Sequence, residues 1–212
     1  AIIDYETGNL KSVSKALELA SNNVLKRSNI QIINSAKDIN NFDKVVLPGQ
    51  GSFKQCFQSL NSIHGILDRL TDFVTVKKKP ILGICVGMQL FANFGDEDGG
   101  SDGLGWIEGK VKKISLKDLS LKLPHMGWNN IQILSNSKLL SGVNNDSHFY
   151  FVHSYSYEVD EKKYVSATTN YSIEIVSAIE KDNIFGTQFH PEKSQANGCL
   201  LYTSDAADEE DS

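Results

Sequence analysis

The run Pro80-Ile81-Leu82-Gly83-Ile84-Cys85-Val86-Gly87-Met88-Gln89-Leu90 constrains this chain more than any other stretch. Its first half is a short continuous apolar segment of strand length and its second half has helical spacing, so the chain must turn from strand to helix at Cys85. Such a turn is strained. Glycine on both sides is expected, because neighbouring side chains would collide with the turn and with an incoming substrate. The thiol would then stand at a helix N-terminus, where unpaired N–H groups and the positive dipole end favour the thiolate. A buried structural cysteine is the ordinary alternative for a lone Cys in a strand, and Gly83 and Gly87 weigh against it.

A thiol nucleophile needs a base within hydrogen-bond reach and a third group that orients the base. Gly186-Thr187-Gln188-Phe189-His190-Pro191-Glu192-Lys193-Ser194 offers both. Pro191 biases His190 toward extended backbone, and in extended chain residues two apart share a side, which brings the Glu192 carboxylate to the imidazole. Alone, His-Pro-Glu is a weak signal. With the cysteine turn it completes a Cys85, His190, Glu192 triad in chain order.

The remaining pattern predicts strands alternating with helices. Ala1 to Asp4 reads as a strand, followed by a helix with the stripe Leu10, Val13, Leu17, Ala20. Ile30 to Ile33 and Lys44 to Leu47 follow as strands. Phe53 to Val76 reads as helical with a break near His64-Gly65, and the helix after Cys85 is expected to run through Phe94. Lys77-Lys78-Lys79 marks an exposed helix end. Beyond an acidic, glycine-rich stretch from Asp96 to Gly103, read as an exposed turn, the pattern becomes β-rich: Lys110 to Ile114, Asn130 to Leu134, His148 to Ser154, Tyr164 to Thr169, Ile173 to Ile179 and Ile184 to Gln188. The fold class this implies is three-layer α/β, a mostly parallel central sheet with helices on both faces and an antiparallel extension in the C-terminal half. Functional groups belong at the carboxyl ends of the parallel strands, where Pro48-Gly49-Gln50-Gly51 and Cys85 both fall.

Composition narrows the function classes. With 212 residues, 40% of them hydrophobic, the chain suits one domain with a substantial core. No apolar stretch reaches membrane-spanning length, and the N-terminus lacks a signal-peptide pattern, so a cytoplasmic protein is expected. Cys56, Cys85 and Cys199 form neither a disulfide framework nor a zinc motif. The formal charge of −5 is carried by five acids after Cys199, which leaves 21 acids against 21 bases in the rest. Nothing favours nucleic acid or membrane binding. Asp96 to Gly103 lacks the ligand spacing of a calcium loop, and neither it nor His125 is read as a metal site. No cofactor is expected. The domain is read as residues 1–198, with 199–212 an atypical acidic tail, disordered or non-native.

These stretches, together with Asp4-Tyr5-Glu6-Thr7-Gly8-Asn9-Leu10, Pro124-His125-Met126-Gly127-Trp128-Asn129 and Phe151-Val152-His153-Ser154-Tyr155, resemble the class I (triad) glutamine amidotransferases. The likeness is nearest to the glutaminase subunits of imidazole glycerol phosphate synthases. It covers Ala1 to about Gly198. One departure is Glu6, where many members have glycine; another is the tail, where a C-terminal amphipathic helix is expected. The resemblance implies glutamine hydrolysis through a Cys85 thioester, with ammonia passed to a (β/α)8 cyclase subunit in a heterodimer. Oxyanion donors would come from Val86 and from Gly49, Gln50 and Gly51, whose glycines permit a peptide rotation. Gln89, His153, Ser154 and Tyr155 would hold the amino-acid end of L-glutamine, and Met126, Trp128 and Asn129 would lie at the cyclase interface. The ordinary alternatives are a polar helix residue, a strand-end cluster and core aromatics. A paralogous amidotransferase serving another synthase and a non-catalytic interaction subunit both remain open at this level.

Overall fold

Short runs rich in isoleucine and valine build the centre of the sheet in the computed structural model, which describes residues 1–23 and 28–202. The first half supplies β1 (Ile2–Ile3), α1 (Leu10–Asn23), β2 (Ile32–Ile33), β3 (Val45–Gly49), α2 (Phe53–Ser62), α3 (Ile66–Thr71), β4 (Ile81–Cys85) and α4 (Val86–Gln89). β1 and β3 are buried on both faces, which is why they read as unbroken apolar sequence. The expected helical break falls at Gly65, whose φ of 73° opens α3.

The helix after Cys85 is shorter than its sequence pattern suggests, ending at Gln89 rather than Phe94. The carbonyls of Leu90, Phe91 and Ala92 are taken by the N–H groups of Leu104, Trp106 and Gly105, so a loop from later in the chain replaces the next helical turn.

The second half contains β5 (Phe94–Gly95), β6 (Ser101–Asp102), β7 (Gly109–Lys113), β8 (His125–Asn130), β9 (Gln132–Ile133), β10 (His148–His153), β11 (Tyr155–Val159), β12 (Val165–Tyr171), β13 (Ile173–Lys181), β14 (Ile184–Thr187) and α5 (Gln195–Tyr202). The large sheet has the order β2-β1-β3-β4-β14-β13-β12-β9. Strands β2 through β14 in that order run parallel, and β13, β12 and β9 extend the sheet antiparallel. The second half thus differs from the expected simple extension in two ways. β14 joins parallel to β4, and β8–β10 and β11-β7-β5-β6 form separate small sheets. Two strands depart from simple apolar alternation: β8 has His125, Gly127 and Asn129 on its inward side with Met126 and Trp128 outside, and β11 alternates Ser156 and Glu158 with its tyrosines.

Burial follows strand alternation. Ile184 enters one apolar cluster with Ile3, Leu47, Ile84, Phe53 and Phe91, while its neighbour Phe185 enters another with Phe149, Phe151 and Phe189. The second cluster also contains Leu201 of α5, which is 2% exposed. Helical structure continues past Gly198 to Tyr202, because Leu201 is apolar and has a core to enter. Residues 203–212, the rest of the tail, lie outside the described residues. Among the described residues, no helix is long and apolar enough to cross a membrane.

Candidate active site

Cys85 ends β4 with φ 55° and ψ −114°, a conformation L residues avoid, at a cost on the order of 1–3 kcal/mol that the surrounding packing must hold. The two flanking glycines show how. A Cβ on Gly87 would lie 1.8 Å from the Leu47 carbonyl oxygen, and one on Gly83 would lie 2.7 Å from Met88 Cα. Their absence of side chains lets α4 sit directly on β3 and β4. The collisions avoided are with the neighbouring strand and with α4 itself, rather than with an incoming ligand.

Because β14 runs parallel to β4, with Thr187 opposite Ile84, the chain leaves the sheet at Gln188 beside Cys85. Phe189 then packs against Phe149 and Phe151, at ring distances of 4.1 and 5.7 Å, and the His190 N–H donates to Tyr150 O at 2.9 Å. These contacts fix the backbone that carries the imidazole. His190 is extended, but a 3-10 turn over Pro191–Lys193, rather than continued extended chain, returns Glu192 to it. Nδ1 of His190 and Oε1 of Glu192 are 2.8 Å apart, and both side chains are 2% exposed. Burial alone would lower the imidazole pKa. Its charge interaction with Cys85, and then its bond and charge interaction with Glu192, outweigh burial and raise it to about 10.

The loop Pro48 to Gly51 closes the other side. Tyr5 Oη donates to Pro48 O, and Cys56 Sγ donates to Gln50 O at 3.2 Å, with Thr7 Oγ1 3.8 Å away. Burial keeps both donors protonated: the tyrosine is pushed well up and the Cys56 thiol is raised to about 11. Since the Gln50 carbonyl and the Gly51 N–H belong to one trans peptide, anchoring the carbonyl at Cys56 turns that N–H the opposite way. A cavity of ≈ 290 Å³ is lined by Gln50, Gly51, Cys85, Val86, Gln89, His153, Ser154, Tyr155 and His190. Residues drawn from four separate stretches of sequence meet there. Gly49 stands behind the cavity wall, opposite Cys85 across the β3–β4 ladder, and Glu192 supports His190 from below the surface.

A family model described as glutamine amidotransferase class-I matches residues 1–203. The chain belongs to the class-I glutamine amidotransferases. It is 52% identical over 201 residues to the imidazole glycerol phosphate synthase subunit HisH of Pelagibacter ubique, covering 94% of this chain and 95% of that one. Identity to the HisH 1 subunit of Campylobacter jejuni is 48% over 95% of this chain and 96% of the other. HisH of Rhodospirillum rubrum is 44% identical over 95% and 94% of the two chains. Among solved structures, one described as a glutamine amidotransferase superimposes with a TM-score of 0.72 at 14% identity, covering 98% of both chains. The glutaminase domain of Trypanosoma brucei CTPS, with bound acivicin, gives 0.66 at 18% identity over 100% of this chain and 94% of that one. These two likenesses are of fold.

Three residues in or behind the cavity wall of this amidotransferase, Glu97, Gln188 and Lys193, are not marked by any local motif. Glu97 comes from the acidic stretch read as an exposed turn, yet it is half-buried, lines the cavity, and accepts the Phe53 N–H through Oε2 at 2.8 Å. Burial raises its pKa, with Asp98 adding to the rise and the Phe53 bond opposing it. The β5–β6 hairpin places it, and two-residue strands leave little trace in sequence. Gln188 is fully buried and bridges Gln89 and Cys85: its Oε1 accepts from Gln89 Nε2 at 2.8 Å, and its Nε2 lies 3.7 Å from Cys85 Sγ. Its place two residues before His190 was the available signal. Lys193 also lines the cavity, with Nζ 5.7 Å from the centre of the Tyr150 ring.

Met126, Trp128 and Asn129 lie outside the cavity, on β8. Met126 and Trp128 project to solvent, 61% and 49% exposed, on one face of the strand. The Asn129 amide turns to the other face and bonds His125 and Asn170 O. His153, buried in the cavity wall, bonds Tyr155 O and His125, so its ring is occupied on both nitrogens.

Proposed function

We propose that this amidotransferase is the glutaminase subunit of an imidazole glycerol phosphate synthase, hydrolysing L-glutamine and passing ammonia to a (β/α)8 cyclase subunit. The observation that carries this function is the buried His190–Glu192 pair, 2.8 Å apart, with His190 and Cys85 lining one cavity. Cys85 sulfur attacks the side-chain amide carbon, forming the C–S bond while the carbonyl π electrons move to oxygen. The resulting oxyanion is stabilised by the Val86 N–H and by N–H groups of the Gly49-Gln50-Gly51 loop. His190 gives a proton to the amide nitrogen, the C–N bond breaks, and ammonia leaves. The neutral imidazole then takes a proton from water as it attacks the thioester, releasing glutamate and restoring Cys85.

Gln89, His153, Ser154 and Tyr155 hold the amino-acid end of the substrate, and Glu97 supplies a carboxylate in the same cavity for its α-ammonium group. Ammonia set free in water at neutral pH becomes ammonium and loses nucleophilicity, which favours direct transfer to a partner. The exposed Met126 and Trp128 are the surface that partner covers. A reducing compartment such as the cytoplasm suits the free Cys85 thiol. The names of the relatives support the histidine-pathway role over a paralogous synthase, and the intact Cys85, His190 and Glu192 weigh against a non-catalytic subunit. Glutamate release from glutamine, measured with and without the cyclase and its nucleotide ligand, tests this directly. Release that requires Cys85 is expected; turnover surviving Cys85→Ala would reject the nucleophile.

A further inference from the structure

A one-directional series of hydrogen bonds runs from β8 to the cavity. The Asn129 amide is oriented by the backbone on both sides: Oδ1 accepts the Asn130 N–H at 2.9 Å and Nδ2 donates to Asn170 O at 2.9 Å. Its second Nδ2 hydrogen faces His125 Nε2 at 3.2 Å, so that nitrogen must be bare. The His125 proton then sits on Nδ1 and is donated to His153 Nε2 at 3.0 Å. The His153 proton, in turn, sits on Nδ1 and is donated to Tyr155 O at 2.8 Å. That same carbonyl accepts from Gln89 Nε2 at 3.1 Å, and Gln89 continues to Gln188 and Cys85. The Asn129 amide at one end and the Tyr155 carbonyl at the other thus require the same tautomer of both rings. Burial supports the neutral forms, lowering the His125 pKa to about 4 and, with the neighbouring imidazoles adding to the effect, that of His153 to about 3.

The carbonyl at the end of this series has a structural reason to need it. Ser154 is the corner where the chain leaves the β8–β10 pair and enters the β11-β7-β5-β6 sheet. A corner between two sheets lacks a continuous ladder on either side. The His153 side chain bonds the carbonyl two residues ahead and closes the corner, while Ile114 N–H holds Ser154 O at 2.9 Å. Packing alone does not account for His125. Its ring stacks between Phe151 and Tyr171, at 4.7 and 4.1 Å, a slot that phenylalanine would fill without desolvating two nitrogens.

We infer that His125 is a positioning residue for the glutamine site: held by Asn129, it donates to His153 Nε2 and secures the ring that holds the Tyr155 carbonyl and the Ser154 corner in their binding geometry. This rests on the proposal that His153, Ser154 and Tyr155 bind glutamine, so wild-type glutaminase activity of the complex with the cyclase is measured first. Absence of wild-type turnover would count against the functional reading itself.

Two substitutions separate bonding from packing. His125→Phe keeps the stacked ring and cuts the series; His125→Gln loses the ring but retains a donor and an acceptor. In the active complex, His125→Phe is expected to raise KM for glutamine about tenfold, the effect of one lost buried hydrogen bond, with kcat within about twofold of wild type. His125→Gln is expected to recover most of that loss. A wild-type KM in His125→Phe, or equal impairment in both variants, overturns the inference. Should either variant fail to fold, the test moves to Asn129→Asp, whose carboxylate has no hydrogen to donate and draws the His125 proton to Nε2. Imidazole ¹⁵N spectra should show Nδ1–H tautomers for His125 and His153 in the wild type and the exchanged tautomer at His125 in Asn129→Asp, with KM again raised. An Nε2–H tautomer at His153 in the wild type, or an unchanged KM in Asn129→Asp, overturns it.

Discussion

Gly49 and Cys85 are direct partners across the ladder of β3 and β4, at the carboxyl ends of two adjacent parallel strands. The proposed nucleophile and the proposed oxyanion loop are therefore set one strand spacing apart by the sheet itself. A Cβ on Gly49 would lie 2.5 Å from the Gly87 nitrogen and 2.9 Å from Val86 Cβ, in the turn that carries Cys85.

Gly49→Ala should consequently disturb both halves of the site at once. Overpacking of this kind costs about 1–3 kcal/mol of stability, and loss of one oxyanion donor lowers kcat by roughly 10²-fold or more. Glutamate release by a folded variant, checked by circular dichroism, measures the effect. Turnover at the wild-type rate would mean that the loop is a simple strand-ending turn.

Glu192→Gln removes a charge that helps hold His190 protonated, while the larger contribution, from Cys85, remains. The imidazole pKa should fall from about 10, and kcat should drop by roughly 10²–10⁴ through misorientation of the base. In the pH profile, the basic limb should move to lower pH. The sign for stability is the same: a raised folded-state pKa contributes fully below the ordinary value of 6.5 and is lost as pH rises through about 10. Urea unfolding of wild type and variant between pH 7 and 10 should converge toward the alkaline end. Parallel curves would remove the pair from the stability account.

His125 and His153 act in the opposite direction and at the opposite end of the scale. Their folded-state pKa values, about 4 and about 3, lie below the ordinary 6.5, so unfolding takes up protons as the pH falls below 6.5. Stability present above pH 6.5 is lost on acidification, with a slope approaching about 2.7 kcal/mol per pH unit from the two groups together. His125→Phe should remove about half of that slope relative to wild type, read from urea midpoints at pH 7, 5.5 and 4.5. An identical acid dependence in the two proteins would refute the buried neutral assignment.

The parts of this architecture legible in the sequence are those where one local pattern carries one structural demand. Gly83, Cys85 and Gly87 announced the strand-to-helix turn because backbone strain and close packing leave few residue choices. The apolar runs of β1, β3 and β4 announced parallel strands because both faces are covered. Pairing direction in the second half was not legible: Ile184 to Thr187 looks the same whether its neighbour is parallel β4 or antiparallel β13, and it has one of each. Glu97 was hidden for a related reason. An acidic, glycine-rich stretch is ordinarily solvent-exposed, and only the tertiary position of the β5–β6 hairpin beside α2 turns one of its carboxylates into the cavity.

The exposed aromatic on β8 yields the last expectation. Trp128 and Met126 share one face of a strand whose other face is tied inward by Asn129 and His125, so the apolar pair is presented on a fixed backbone. Trp128 also meets the Tyr150 ring edge-on at 6.2 Å, and Tyr150 O anchors His190. A rigid exposed tryptophan of this kind is what protein interfaces use as an anchor. Trp128→Ala should therefore leave the thermal midpoint of the isolated subunit nearly unchanged and weaken its association with the cyclase by on the order of 100-fold, the loss of an interface hot spot. Titration calorimetry of the two subunits checks the affinity, and scanning calorimetry of the subunit alone checks the stability. Unchanged affinity would move the interface away from β8, whereas a large fall in the midpoint would make Trp128 a structural residue that happens to be half-exposed.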